Sequence, residues 1–140
     1  MEGETRKCVV VLDGSLPPGV AANTAAILGI TLGRQLPDVV GADVADGDGN
    51  GHLGIIRFPV PVLRADGEAL GELRRRLFAP EYGGLTVVDF SDAAQRCRTY
   101  GEFTEKLKTV PERGLRYLGV AICGGKKEVD RLTGSMPLLR

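Results

Sequence analysis

The chain has 140 residues, 43% hydrophobic and 26% charged, enough for one globular core and too few for two. Eighteen Lys and Arg against eighteen Asp and Glu leave no net charge, so no global basic field draws in nucleic acid, and none is expected as a partner. Three cysteines without a C-x-x-C pair argue against a disulfide framework or zinc site, and no signal-like or membrane-spanning run is present, so a cytoplasmic protein is expected.

Residues 1–6 are polar and mixed in charge, a flexible N-terminus to a single domain spanning 1–140. "KCVVVLD" (Lys7 to Asp13) is a continuous apolar run ending in Asp-Gly, the pattern of a strand buried on both faces. Pro17 and Pro18 suit a first helical turn, and the helical pattern runs to about Leu32 and ends near Gly33. Ala22, Ala25, Ala26, Gly29 and Gly33 recur at three- and four-residue steps, which predicts a flat face against the sheet with Asn23 near a cleft.

The irregular "DVVGADVADGDGNGH" leads into "LGIIRFPVPVL", whose Pro59 and Pro61 remove two ladder donors on one side and place it at a sheet edge. Asp66 caps a helix with Leu70, Leu73 and Leu77 as its buried stripe and Arg74 to Arg76 at its C-terminal end. "GLTVVDF" from Gly84 is a short buried strand, and "SDAAQRCR" a helical turn capped by Ser91. Thr99 and Glu102 have capping-box spacing, with Tyr100, Phe103 and Leu107 as the apolar stripe of a helix stopped by Pro111. "LRYLGVAIC" is the fourth strand, "KKEVDRLTG" a last helix, and "SMPLLR" a tail apolar enough to dock on the body. Such alternation implies a three-layer α/β/α sandwich.

"VVVLDGSLPPGVAAN", "VVDFSDAAQ" and "LGVAICGGKKEVDRLTGSMPLLR", in that order, resemble the opening, middle and end of the type-2 peptidyl-tRNA hydrolases. More closely, "DGSLPPGVAANTAAILG", "HLGIIRFPVPVL" and "LTGSMPLLR" are similar to a bacterial domain-of-unknown-function family related to those hydrolases in fold. The resemblance implies a four-stranded mixed sheet between helices. It also implies lost chemistry: the hydrolase's lysine falls on Gly19, its helix histidine on Ala26 and a threonine near Arg96. Only the aspartate, matching Asp92, and an amide, Asn23 in place of a glutamine, survive as catalytic candidates.

A helix start surrounded by small residues favours an anionic or polar ligand, with Asn23, Thr24, Asp89, Gln95 and Arg98 gathered at the carboxyl edge of the sheet. Plainer roles exist: Asn23 satisfies spare backbone groups and Asp92 complements a helix dipole. Asp46, Asp48, Asn50 and Gly51 match part of a calcium loop, but Arg57 stands where a bidentate glutamate is needed, so a turn with unusual backbone angles is expected. His52, the only histidine, and Lys126 in the Gly-Gly-Lys-Lys turn complete the ligand-binding candidates. Cys8 and Cys123 read as small core residues and Cys97 as inert. No metal or cofactor is expected. The function implied is the binding of a small polar or anionic molecule without peptidyl-tRNA hydrolysis, with a divergent ester or amide hydrolase and a homodimeric interaction module as alternatives.

Overall fold

The computed structural model describes residues 5–140. Strand β1 (Arg6–Asp13) is buried from Cys8 onward, as its uninterrupted apolar run requires. Residues 1–4 of the N-terminus lie outside the described residues, but Arg6 already belongs to β1 rather than to a flexible segment. Helix α1 (Pro18–Gln35) follows, then a small hairpin of β2 (Val44–Ala45) and β3 (Gly51–His52). Next come β4 (Val62–Ala65), α2 (Gly67–Arg76), β5 (Thr86–Ser91), α3 (Asp92–Gln95), α4 (Tyr100–Thr109), β6 (Tyr117–Gly125) and α5 (Lys126–Thr133). Among the described residues no helix is long and apolar enough to cross a membrane.

The four-stranded sheet has the order β4-β1-β6-β5; β4 is parallel to β1, and β6 is antiparallel to both β1 and β5. It is therefore a mixed sheet with helices on both faces. On one face Val9, Val11, Val120 and Ile122 pack with Leu70, Leu73 and Leu77 of α2 and its end and with Val129 and Leu132 of α5. On the other, Val10, Leu12 and Ala121 pack with Ala21, Leu28 and Leu32 of α1.

Local signals hold well. Asp66 Oδ1 accepts from the Ala69 N–H at 2.8 Å, and Thr99 Oγ1 accepts from the Glu102 N–H at 3.1 Å. Glu102, however, bonds the Arg98 N–H, so only half of the expected capping box closes.

The edge placement of the proline segment holds for its last residues, since β4 is an outer strand of the sheet, and two other expectations are corrected. The proline-containing segment reaches the main sheet only from Val62, and its outer edge is covered by the chain's own tail: Arg64 N–H donates to Pro137 O and Leu139 N–H to Val62 O, both at 2.9 Å. The tail thus occupies the outer side of β4.

The face of α1 is also different. Ala21, Thr24, Leu28 and Leu32 are buried, while Ala22, Ala26 and Gly29 are exposed. The larger leucines decide which stripe faces the sheet, because they have more apolar area to remove from water. Close approach is supplied by the strand instead: a Cβ on Gly119 of β6 would lie 2.8 Å from Thr24 Cγ2 and 3.0 Å from Leu28 Cδ1.

Finally, Cys8 and Cys123 are directly opposite in the β1–β6 register and are joined by a disulfide bond. An odd count and a separation of 115 residues hid a pair that strand register brings together; Cys97 is left as the free thiol.

Candidate functional site

Strands β1, β4 and β5 run in one direction, so Asp13, Ala65 and Ser91 at their carboxyl ends share an edge with Tyr117 at the start of β6. Helices α1 and α2 also begin there. At this edge a cleft of about 510 Å³ opens between the two parallel strands, lined by Asp13, Gly14, Ser15, Arg64, Asp66 and Gly67, among others. Ligands of α/β sheets bind outside the carboxyl ends of parallel strands, and this cleft stands there.

Asp13 forms its floor at 3% exposure. The Asp-Gly-Ser turn folds Ser15 back onto it: Oδ1 accepts from the Ser15 N–H at 2.9 Å and from the Ser15 hydroxyl at 2.7 Å. The Arg116 guanidinium donates to Oδ2 at 3.1 Å. Burial by itself would raise the Asp13 carboxyl, but the Ser15 and Arg116 hydrogen bonds and the Arg116 charge outweigh it and hold the group below its ordinary value. Asp13 is therefore an ionised, largely desolvated carboxylate. Three donors leave roughly one of its about four acceptor positions open.

The walls carry two further charges. The Arg64 stem lies against Gly14, where a Cβ would sit 3.4 Å from Arg64 Cβ, and its guanidinium makes no ion pair among the described residues. Asp66 uses Oδ1 to cap α2. Gly67 keeps the floor accessible, since even a Cβ there would come within 3.5 Å of Asp13 Oδ2.

Asp92 belongs to the same edge through Arg116. Its Oδ1 accepts from the Arg116 N–H at 3.1 Å, and its own N–H donates to Arg116 O at 2.9 Å. The carboxylate thus ties α3 to the start of β6, and it does not line the cleft.

The other candidates are dispersed rather than gathered. Asn23 is exposed on α1 and lines no part of the cleft. Thr24 is buried in the core, its hydroxyl without a hydrogen-bond partner among the described residues. Asp89 pairs with Arg74 at 2.6 Å, and Gln95 and Arg98 are exposed at and beyond the end of α3. Lys126 stands at the opposite edge of the sheet, because β6 runs against β1; its N–H donates to Thr5 O.

His52 is in the small hairpin, where its Nε2 lies 2.8 Å from Asp46 Oδ2. Asp46 also accepts from the N–H groups of Asp48 and Asn50, and its carboxyl falls to about 2 through the His52 contact first and these bonds next. This is a closed turn with Gly49 at φ 86°, the unusual backbone angle expected of it.

Sequence reasoning passed over Asp13, Ser15, Arg64, Asp66 as a cleft residue, and Arg116. The only local signal was a buried strand ending in Asp-Gly-Ser, where a carboxylate can bond its own backbone two residues on.

Residues 6–140 match the model of a family described as a protein of unknown function, DUF2000. A solved structure from Agrobacterium tumefaciens, described as a protein of unknown function, superposes with a TM-score of 0.87 at 20% identity, covering 97% of this chain and 98% of its own. That likeness shows a shared fold. None of the curated proteins matches the chain.

Proposed function

The chain belongs to the DUF2000 family, and from that premise we propose that it is a binding protein for a small zwitterionic or polar metabolite, seated in the cleft at the carboxyl ends of β1 and β4. The observation that carries this reading is the buried, ionised Asp13 on the floor of a cleft whose wall holds Arg64, which makes no ion pair among the described residues. A ligand cation fits against Asp13 and the free oxygen of Asp66, and a ligand carboxylate against Arg64.

The same reading keeps the fold of the type-2 peptidyl-tRNA hydrolases without their reaction. Gly19 offers no side chain at the helix start, and nothing lies within 4 Å of where its Cβ would be. Asp92 is bound to the Arg116 N–H, and Arg96 reaches it only at 4.0 Å from a largely exposed position. A second reading, a divergent ester or amide hydrolase, has one observation in its favour, the Ser15 hydroxyl on Asp13. A carboxylate held below its ordinary value is a weak general base, so the pair polarises the hydroxyl without activating it.

Calorimetric titration against single amino acids and dipeptides tests the proposal. Binding should weaken at least about tenfold in Arg64→Ala, and affinity unchanged in that variant would overturn it. A model peptidyl-tRNA should not be turned over; turnover by the wild type that vanishes in Asp92→Ala would restore the hydrolase.

A further inference from the structure

Helix α4 has the pattern of an amphipathic helix, yet none of its residues is buried. Its stripe is held only in part: Tyr100 is 80% exposed and Leu107 38%. The Tyr100 and Phe103 rings meet edge to face at 5.6 Å, which stiffens the stripe without covering it. Helices of this length draw their stability from burying such a face against the fold. Here a groove of about 480 Å³ separates α4 from the sheet and from α1, with Ile27, Val88, Phe90, Phe103 and Leu107 among its walls.

The charges at this groove are unequal. Asp89, on the edge strand, is neutralised by Arg74 at 2.6 Å. Arg98, also on the lining, is exposed and makes no ion pair among the described residues, while its N–H donates to Glu102 Oε2 at 3.4 Å. An apolar trough with one guanidinium outside any ion pair among the described residues is complementary to a molecule with an apolar body and a single negative head.

We propose that the groove between α1, β5 and α4 is a second binding site, for an amphipathic organic anion: an acyl chain or aromatic ring that lies on Val88 and Phe90 beneath Phe103 and Leu107, with a carboxylate or sulfonate at Arg98. Its volume falls within the range of small-molecule sites. Occupancy would bury the stripe that α4 leaves uncovered, so the ligand stabilises the helix as it binds. The site shares no residue with the Asp13 cleft.

The probe is anilinonaphthalenesulfonate, followed by its fluorescence on the intact chain and displaced by decanoate, decanol or decylamine. One dye should bind per chain, and decanoate should displace it at least about tenfold better than decanol or decylamine. Arg98→Ala should erase that preference, and Leu107→Lys should weaken dye, acid and alcohol together; both substituted side chains are at the surface. Arg64→Ala should leave dye binding unaltered, so failure here is separable from failure of the polar cleft. Equal displacement by all three compounds, dye binding indifferent to both groove variants, or a sedimenting dimer that excludes the dye because a second copy fills the groove would each overturn the proposal.

Discussion

Asp13 and Arg116 stand 103 residues apart in the chain and meet at 3.1 Å, the carboxylate 4% and the guanidinium 60% exposed. The pair joins the end of β1 to the residue before β6, and the Arg116 backbone carries the link onward to Asp92. One residue thereby fixes the mutual position of both carboxylates.

Acid should weaken this link in a definite direction. The folded Asp13 carboxyl lies below its ordinary 3.8, so its contribution to stability is present above that value and is lost as pH falls through the folded one. Arg116→Ala should cost about 1 kcal/mol at neutral pH, discounted for the exposed guanidinium, and progressively less as the carboxyl protonates. Urea unfolding of both proteins across the acid range reads this; a gap independent of pH would refute it.

The α1 interface yields an ordering of three variants. Thr24→Val removes a buried hydroxyl without a partner among the described residues and should stabilise by about 1 kcal/mol. Gly119→Ala forces a methyl into Leu12, Thr24 and Leu28 and should cost roughly 1–3 kcal/mol. Ala26→Leu, on the exposed face, should stay within about 0.5 kcal/mol of wild type. Thermal melts that place Ala26→Leu below Gly119→Ala would invert the assignment of the buried face.

What could be read in the residues was what neighbours in sequence determine. The Asp66 cap with Leu70, Leu73 and Leu77 needs only local chemistry and the helical period. The alanine stripe of α1 misled because spacing finds a face without saying what it meets, and the needed gap was made by Gly119 on another element. The cleft around Asp13 was hidden for a related reason. Arg64 and Arg116 arrive there through strand register, which no local pattern encodes.

The cysteines supply the last expectation. Thiol titration of the denatured, unreduced protein should find one thiol per chain, that of Cys97, and three would exclude the Cys8–Cys123 bond. Because that bond closes a loop of 115 residues, its reduction should lower stability by about 4–5 kcal/mol in the chain-entropy account.

The same long closure governs how the protein is made. β1 takes its partners from β4 and β6, so β1 waits for β6, the last strand of this sheet, before the pair at the middle of the sheet exists. At about 5–20 residues per second, Val9 to Leu12 lack their β6 partner for on the order of ten seconds, with only β4 made in between. The β1–β6 pair can form only after β6 is made, and through that interval the β6 side of β1 is open to pairing with a neighbour's strand.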